Sequence, residues 1–374
     1  MRVGIDMYPY HIFKTGIRTV IENLLQRWQK HFNQHEFVLL QPSRKIITQP
    51  RTKLEKVRNH LYHLYWSQIE SQVQAKQRRC DLVFATCMFS PYHQLVPTVT
   101  LIHDMALWRH PEWYPRWWLL INRIFTEYPA RNIRHIVAVS EYTRQDILTF
   151  FKLPESRVST IYSGGDLPEV DPRNDRSILY QYNIPETAKY ILHVGLSIPH
   201  KNLPRLVEAF GILVKYLPDQ PLFLVLAGPK TNTHGQSDDY RIKEKSLQYN
   251  ISNRLLFTGF IPKEHVTVLY RNAYIYAFPS LFEGFGLPLV EAMSSGVPVV
   301  ASNRAALPEI GGDAGYYFDP LDVQDIVNAL YTVATQPSLR QHMIQRGIER
   351  AKIFSWNKAA AQYVDLFEDI ARGL

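Results

Sequence analysis

Cysteine is scarce in this chain, which has Cys80 and Cys87 as its two cysteines in 374 residues. Their spacing does not fit a CxxC pair, and no histidine cluster accompanies them at the spacing of metal ligands. The sequence therefore predicts neither a disulfide framework nor a zinc site. A chain without structural disulfides suits a reducing compartment, so we expect a cytoplasmic protein.

The chain also lacks a long apolar run. No segment approaches the roughly 18 uninterrupted apolar residues that a membrane-spanning helix requires. No charged region followed by an apolar region precedes the first predicted strand, and no low-complexity tract or repeat of solenoid period is present. We therefore expect a folded protein, and any contact that it makes with a membrane is expected to be peripheral.

The sequence is rich in apolar residues and has an excess of positive charge. Hydrophobic residues make up 46% and charged residues 20%, which is ordinary for a folded protein. The length exceeds that of a typical single domain, so we predict two domains. The net charge of +8 attracts anions. Nucleic acid, an anionic lipid surface and a sugar-nucleotide diphosphate are all candidates, and a generally basic surface is the alternative.

Short apolar runs alternate with amphipathic stretches, a pattern typical of parallel strands buried beneath helices on both faces. We therefore predict an α/β fold with two doubly wound parallel sheets. The strands of the first half are predicted at residues 3–6, 36–40, 82–85, 98–103, 136–140 and 158–162. Those of the second half are predicted at residues 190–195, 222–228, 255–259, 275–279 and 298–302.

A stretch rich in Gly, Pro and Asp, residues 164–176, separates the two sets of strands and indicates a linker. The predicted division is an N-terminal domain, a linker, a C-terminal domain and a final helix that packs back onto the first domain, at residues 1–166, 167–176, 177–355 and 356–374. Ligands of open α/β sheets bind beyond the carboxyl ends of the strands. We therefore expect the chemistry in those loops and in a cleft between the domains.

The most informative segment is PSLFEGFGLPLVEAMSSGVPVV, residues 279–300. It predicts the end of a strand, a glycine-bearing loop and a helix that begins near Leu287 and ends at Gly296. The helix N-terminus offers unpaired N–H groups and a partial positive charge. Glu283 in the loop and Glu291 inside the helix are expected to reach one pocket, where two carboxylates suit hydroxyl recognition. In isolation the same spacing would indicate only a capping and a solvated glutamate.

This segment resembles the donor-site signature of the retaining family 4 glycosyltransferases, which have the GT-B fold of two Rossmann-like domains. The resemblance implies that Glu283 is a catalytic residue beside the donor sugar and that Glu291 binds the ribose hydroxyls. It also implies that the intervening loop binds the donor, with backbone amides that hold the sugar hydroxyls or the diphosphate. The residues of this loop are Gly284, Phe285, Gly286 and Leu287.

A second segment, HVGLSIPHKNL at residues 193–203, resembles another part of the family's donor site. A lysine at a helix N-terminus suits a diphosphate, because its point charge and the backbone amides act together. Lys201 is the predicted diphosphate ligand, and an exposed lysine in a helix cap is the alternative. Many members have arginine where this chain has Leu196, and related sequences have arginine in place of His200. Diphosphate affinity or its pH response is expected to differ accordingly.

Two segments of the first half also resemble the family. The opening strand and the run TGIR at residues 15–18 resemble its glycine loop, so Gly16 is a candidate contact to the donor phosphates or the acceptor, or else a turn glycine. The run TVTLIHD, residues 98–104, ends with a polar pair. By resemblance, His103 is a catalytic residue that contacts the donor sugar. Asp104 orients that imidazole, binds acceptor or is a satisfied core aspartate.

Four further matches complete the resemblance, and one of them, at residues 139–144, is expected to begin a helix. Residues 256–260 resemble the loop that contacts the base through its backbone, which makes Thr258 and Gly259 donor-binding candidates. Residues 161–166 resemble a hinge turn, and residues 309–313 resemble the segment that closes the second sheet.

The resemblance implies a retaining transfer of a hexose from a nucleotide-diphosphate sugar. Cleavage leaves negative charge on the departing diphosphate, which Lys201 and the helix amides would stabilise without a metal. No Asp-x-Asp motif stands at a predicted strand end. We expect no cofactor, GDP-mannose as the candidate donor, and a saccharide or polyprenyl-linked acceptor in polysaccharide or glycolipid biosynthesis. No nucleic-acid partner is expected.

Residues 51–79 and 108–134 interleave aromatic and basic side chains. Such stretches suit a lipid interface, where a polyprenyl-linked acceptor would lie. An anionic membrane surface, at the inner face of the plasma membrane, is therefore a candidate partner. Ordinary helix packing with a solvated basic face is the alternative.

Other activities of the same fold fit the sequence less well. A phosphorylase needs a pyridoxal-bearing lysine and a much longer chain. A sugar-nucleotide epimerase of the GT-B fold stays open, although its usual motifs do not match residues 283–291. A protein that binds nucleotide sugars without transferring them is a further alternative, and the presence of Glu283, Lys201 and Glu291 weighs against it.

Overall fold

The computed structural model describes residues 1–13, 16–48, 52–185, 187–229 and 237–373. Thr15 and Arg51, which begin two of the segments discussed above, and Leu374 lie outside the described residues. The chain forms two compact units. The first comprises Met1–Gly164 and Trp356–Leu374, and the second comprises Gly165–Ser355.

The first unit is built on a six-stranded sheet in the order β2-β1-β3-β4-β5-β6, in which all neighbouring strands are parallel. Its strands are β1 (Arg2–Asp6), β2 (Glu36–Leu40), β3 (Leu82–Ala85), β4 (Thr98–Ile102), β5 (His135–Ala138) and β6 (Val158–Thr160). The strands β3 and β4 are buried along their whole length, as continuous apolar runs predict. The direction of winding reverses between β1 and β3, which is the topological switch point of this sheet.

Helices connect these strands. They are α1 (Tyr8–Ile12), α2 (Gly16–His31), α3 (Lys53–Tyr65), α4 (Ser71–Gln77), α5 (Ala106–Arg109), α6 (Arg116–Asn122), α7 (Tyr128–Ala130) and α8 (Glu141–Phe151). A π-helical turn, Trp66–Glu70, joins α3 to α4 in one continuous helical run. The run begins at a capping box, in which Thr52 and Glu55 each accept a hydrogen bond from the other's backbone N–H.

The C-terminal helix, α17 (Trp356–Ala371), belongs to the first unit. Trp28 of α2 is almost completely buried, and its Nε1 donates a hydrogen bond to the Ala360 carbonyl of α17 at 3.0 Å. The Trp28 ring also contacts Tyr363 and Phe367. These contacts confirm the prediction that the final helix packs back onto the first domain.

The second unit is built on another six-stranded parallel sheet, in the order β12-β11-β10-β7-β8-β9. Its strands are β7 (Lys189–Val194), β8 (Leu222–Ala227), β9 (Leu255–Gly259), β10 (Ile275–Phe278), β11 (Val299–Ser302) and β12 (Gly315–Phe318). The edge strand β12 was not predicted from the sequence. Its first three residues are only partly buried, so it lacks the continuous apolar run of a central strand. The winding reverses between β7 and β10.

The helices of the second unit are α9 (Asp175–Gln181), α10 (Leu203–Tyr216), α11 (Asp239–Gln248), α12 (Lys263–Arg271), α13 (Leu287–Ser294), α14 (Leu307–Gly311), α15 (Val323–Thr335) and α16 (Pro337–Ala351). Phe210 of α10 and Leu330 of α15 are fully buried in one apolar cluster with Leu224 of β8. The predicted linker, residues 167–176, contains a 3₁₀ turn, Pro172–Asn174, and the start of α9.

Both units therefore have the doubly wound parallel α/β architecture that the alternation of apolar runs predicts. Within the described residues, no helix combines the length and the apolar character needed to cross a membrane.

Candidate active site

The loops that follow β7 and β10 lie side by side at the switch point of the second sheet. The Leu281 amide donates to the His200 carbonyl at 2.7 Å, which ties the two loops together. The Asn202 side chain donates to the Pro279 carbonyl at 3.1 Å and to the Pro320 carbonyl at 2.7 Å. Asn202 has a left-handed backbone (φ 59°), so the chain turns sharply there before α10 begins. The switch point therefore has a fixed loop on each side.

Lys201 and Glu283, one from each loop, form an ion pair. Their Nζ and Oε1 atoms are 2.5 Å apart, and the side chains are 15% and 14% exposed. The Lys201 ammonium also lies over the Phe278 ring, 5.5 Å from its centre. Burial by itself would raise the pKa of Glu283, but the Lys201 charge and the hydrogen bond from its ammonium group hold that pKa below its usual value. The structure thus brings together the predicted diphosphate ligand and the predicted catalytic glutamate.

Two histidines near this ion pair are neutral at physiological pH. Burial lowers the pKa of His193 to about 4, and burial together with the Lys201 charge lowers that of His200 to about 4. His193 donates from Nδ1 to the Ala277 carbonyl at 3.0 Å, and its Nε2 has no hydrogen-bond partner among the described residues. His200 therefore adds no positive charge to that of Lys201.

The predicted glycine-bearing loop leads directly into α13. Gly286 precedes the helix with φ 96°, and a Cβ atom there would lie 2.9 Å from Leu307 Cδ2, so only glycine fits without strain. Among the described residues no side chain caps this helix. Phe285 is buried against Phe354, with the ring centres 5.7 Å apart. The loop from Gly284 to Leu287 is thereby held in place ahead of a helix N-terminus that no described side chain caps.

Glu291 is in the second turn of α13, where the sequence predicts it. It accepts a hydrogen bond from the Tyr270 hydroxyl at 3.3 Å. Burial raises the pKa of Glu291, while the Lys263 charge and the Tyr270 hydrogen bond act in the opposite direction. Beneath the two glutamates, Tyr276 of β10 is fully buried. Burial first, then the charges of Glu291 and Glu283, raise its pKa well above the usual value.

Sequence reasoning did not identify Tyr270 as part of this site. Tyr270 occupies an apolar position of an amphipathic helix, where an aromatic residue is ordinarily core. Its role depends on a contact with Glu291 that no local pattern indicates.

Thr258 and Gly259 end β9, two strands away from β7. Gly259 has φ 71° and pairs with Gly228 in an isolated bridge, beside an irregularity in the register of β8 and β9. The Thr258 hydroxyl donates to the Gly259 carbonyl at 3.1 Å. Both residues lie at the carboxyl end of the sheet, the end predicted for ligand binding.

In the first unit, His103 and Asp104 follow β4. The His103 Nε2 donates to the Thr86 carbonyl at 3.2 Å, and burial lowers the pKa of His103 to about 4. The Asp104 carboxylate accepts a hydrogen bond from the amide of Ala106, the first residue of α5, at 2.9 Å. Gly16 begins α2, and a Cβ atom added there would meet no described atom within 4 Å. In the described part of this unit, no steric contact therefore requires glycine at position 16.

A buried acid at the switch point of the first sheet was not singled out from the sequence. Asp6 ends β1, and its Oδ1 accepts hydrogen bonds from Trp66 Nε1 at 2.7 Å and from the Tyr8 amide at 2.9 Å. Burial raises the pKa of Asp6 to about 6, against the effect of these bonds. Its position after a strand at the switch point is the signal that could have identified it.

The metal-binding residue types are dispersed. In the described part of the chain, no group of three or more His, Cys, Asp and Glu side chains is arranged to hold a metal ion. Cys80 and Cys87 are free thiols, and burial raises the pKa of Cys87 to about 12.

Known proteins resemble this chain in both halves. The model of the glycosyl transferases group 1 matches residues 175–350, and that of Glycosyltransferase Family 4 matches residues 14–168. The chain is 30% identical over 293 residues to the O-antigen chain mannosyltransferase B of Escherichia coli, with 77% of this chain and 74% of that protein covered.

Solved structures share the fold. The sucrose-phosphate synthase of Thermosynechococcus elongatus matches with a TM-score of 0.79 at 16% identity and covers 100% of both chains. Anabaena HepE, in complex with UDP-glucose, matches with a TM-score of 0.75 at 16% identity and covers 99% of this chain and 100% of its own. The two parallel sheets and these likenesses show the GT-B fold. The chain is thus a glycosyltransferase, and it belongs to family 4, with the glycosyl transferases group 1 module in its second half.

Proposed function

We propose that this glycosyltransferase transfers a hexose, with mannose as the leading candidate, from a nucleotide-diphosphate sugar to a saccharide or lipid-linked saccharide. The observation that carries the proposal is the ion pair of Lys201 and Glu283, with Glu291 and an uncapped helix N-terminus on the same loop and helix. This set offers a cation for a diphosphate, carboxylates for sugar hydroxyls and main-chain amides for oxygen atoms.

Lys201 would hold the diphosphate during the reaction. The leaving nucleotide gains negative charge as the glycosidic bond breaks, and a fixed ammonium group stabilises this charge more in the transition state than in the ground state. Because Lys201 is 15% exposed and already oriented by Glu283, little reorganisation is needed when the diphosphate binds. In this proposal Glu283 has two tasks, since it orients the lysine and lies beside the donor sugar.

Glu291 would bind the ribose hydroxyls. Its carboxylate is buried, and burial raises its pKa while the Tyr270 hydroxyl supplies one hydrogen bond. Two ribose hydroxyls would donate hydrogen bonds to a carboxylate that has lost its hydrating water. These hydrogen bonds would favour the ionised form of the carboxylate. A nucleoside diphosphate is therefore a better match to this end of the sheet than an inorganic phosphate.

The donor would be a sugar nucleotide such as GDP-mannose. The 30% identity to an O-antigen chain mannosyltransferase supports mannose. The fold shared with HepE, which was solved with UDP-glucose, supports UDP-sugars as the competing class. A thermal-shift screen with GDP-mannose, UDP-glucose, GDP and UDP tests this choice. A clear rise of the melting temperature with GDP and GDP-mannose supports the proposal, and a response to uridine nucleotides alone contradicts the mannose assignment.

We propose further that transfer retains the anomeric configuration and needs no metal, because Lys201 and the helix amides supply the positive charge. Proton NMR of the product, taken before mutarotation, tests the stereochemistry. Activity in excess EDTA tests metal independence, with added Mg²⁺ and Mn²⁺ as the matched controls. A product of inverted configuration would contradict the retaining mechanism. Activity that EDTA abolishes and either ion restores would contradict metal independence.

The acceptor would be presented at the inner face of a membrane, with the enzyme in the cytoplasm. An excess of Lys and Arg over Asp and Glu gives the chain its net charge of +8, which would favour an anionic surface. Transfer assays with a soluble oligosaccharide and with a polyprenyl-linked saccharide in vesicles distinguish the two acceptor classes.

A further inference from the structure

The long helical run of the first unit, residues 53–77, has an exposed face that is apolar. Between residues 59 and 75, every residue classed as exposed is a large hydrophobic one. We call the exposed apolar residues of this run the apolar stripe. They are, with their exposed fractions, Leu54 79%, Val57 53%, Leu61 61%, Tyr65 45%, Ile69 50% and Val73 36%. A solvated helix ordinarily presents charged residues at such positions.

Polar groups of the same helical run are buried on another side, about 100° around the helix axis from the apolar stripe. The Glu70 carboxylate is buried and accepts hydrogen bonds from the Ser43 amide at 2.8 Å and from the Tyr62 hydroxyl at 3.1 Å. Trp66 is fully buried and donates to Asp6 at 2.7 Å. These bonds fix the rotation of the helix about its axis. The apolar stripe therefore cannot turn inward without leaving Glu70 and Asp6 without their partners.

The stripe follows one side of the run because of the π-helical turn Trp66–Glu70. Its last four members, from Leu61 to Val73, are spaced by four residues. In a regular α-helix, each such step rotates the side-chain direction by about 40° around the helix axis. The π-helical turn contains more residues per turn, so it offsets part of this rotation. From Leu54 to Val73 the stripe extends about 28 Å, and a contiguous apolar surface of this kind marks an interaction site.

The charge around the stripe is positive. Arg58 lies near its first end, and Lys76, Arg78 and Arg79 follow its last, all of them exposed. The first unit as a whole has 24 Lys and Arg against 15 Asp and Glu, whereas the second has 18 against 19. The first unit therefore accounts for the entire positive excess of the chain.

A second exposed apolar pair adjoins this run. Trp117 and Leu120 of α6 are each 61% exposed, and Arg116 and Arg123 are exposed beside them. The neighbouring Trp118 ring packs on His60 of α3, with the ring centres 4.8 Å apart. Exposed tryptophan beside arginine suits the headgroup region of a bilayer.

We propose that the apolar stripe docks this protein on the surface of a bilayer rich in anionic lipid. Apolar side chains would enter the interface, while the arginines and lysines at both ends would contact lipid phosphates. A second copy of the chain fits less well, because it would bring two strongly basic units together. The proposal rests on surface features of the first unit and is independent of the proposed donor chemistry.

Flotation of the purified full-length protein with vesicles tests the proposal. Vesicles of phosphatidylcholine with phosphatidylglycerol are compared with vesicles of phosphatidylcholine alone. The test variant is Leu61→Glu with Ile69→Glu. The matched control is Tyr240→Glu with Leu247→Glu, two residues of α11 in the second unit that are 77% and 64% exposed.

Wild type and control are expected to float with the anionic vesicles, and the stripe variant is expected to lose at least about tenfold in bound fraction. Its thermal shift with a sugar nucleotide should match that of wild type, which separates this proposal from the proposed donor site. If this variant has a lower melting temperature than wild type, a second stripe variant, Leu54→Glu with Val57→Glu at the start of the run, is used in its place.

Three results would overturn the proposal. The first is equal flotation of wild type and both stripe variants, and the second is no flotation of wild type. The third is a wild-type dimer in sedimentation velocity that the stripe variant converts to monomer, since the stripe would then be covered by a second copy.

Discussion

The Lys201 ammonium and the Glu283 carboxylate are 2.5 Å apart, although 82 residues separate them in the chain. Both are largely buried, so each side chain provides the opposite charge that compensates for burial of the other. The pair joins the loops on the two sides of the switch point in the second sheet.

Replacing Lys201 by Met should destabilise the protein more at pH 7.5 than at pH 5. The pKa of Glu283 is lowered in the folded protein, so wild type keeps the stabilisation from the ionised carboxylate at both pH values and loses it only as pH falls below the ordinary value of 4.5. Without Lys201 the buried carboxylate has no cation at high pH but is protonated more easily at low pH. Melting temperatures of wild type and variant at both pH values measure the difference. An equal loss at the two values would refute the electrostatic coupling.

Replacing Glu283 by Gln should lower kcat by about 100-fold and leave the KM for the donor within a few-fold of wild type. The glutamine has the same shape but no charge beside the donor sugar and Lys201. Steady-state kinetics with saturating acceptor measure both constants. Glu264→Gln, at an exposed position of α12, is the control and should match wild type. A change in KM without a change in kcat would indicate that Glu283 binds the donor and takes no part in the chemical step.

Replacing His200 by Arg should tighten the binding of a nucleoside diphosphate by several-fold. The native imidazole is neutral at pH 7 because its pKa is about 4, so arginine adds a permanent cation next to Lys201. Calorimetric titration with GDP and UDP measures the effect. Weaker binding by the variant, at an unchanged melting temperature, would show that position 200 does not face the diphosphate.

Replacing Asp6 by Asn should stabilise the first unit at pH 7.5 and have little effect at pH 4. Burial raises the folded pKa from 3.8 to about 6, so the folded state binds the proton more tightly than the unfolded state. Stability from this group is present at low pH and is lost as pH rises to about 6, by about 2–3 kcal/mol. Asparagine keeps an oxygen for the bonds from Trp66 and Tyr8. Urea unfolding followed by tryptophan fluorescence at both pH values measures this, and a variant less stable at pH 7.5 would contradict it.

The central strands of both sheets could be predicted because buried parallel strands are short, continuous apolar runs. The helix of Leu287–Ser294 could be predicted from its preceding glycine and its ending at Gly296. The edge strand Gly315–Phe318 could not, because its partly buried residues do not form such a run. Strands with an apolar run were predicted even where they are only partly buried, as at Glu36–Leu40.

The residues of the candidate site were predicted mainly through the family resemblance, and their mutual contacts were not. Neither the ion pair of Lys201 and Glu283 nor the bond from Tyr270 to Glu291 follows from local pattern, since tertiary structure creates both. The helical run at residues 53–77 shows a different limit. This run has apolar residues on two sides, so its periodicity does not indicate which side is buried. The structure shows that the side with Trp66 and Glu70 is buried.

The central claim is that the second unit binds a nucleoside diphosphate through Lys201 and Glu291, and calorimetric titration tests it most directly. Wild type, Lys201→Met and Glu291→Ala are titrated with the nucleotide selected by the thermal-shift screen. Tyr270→Phe is included because it removes only the bond to Glu291. We predict that the first two variants bind about 10- to 100-fold more weakly than wild type, with a smaller loss for Tyr270→Phe. Unchanged affinity in folded Lys201→Met and Glu291→Ala proteins would contradict the claim.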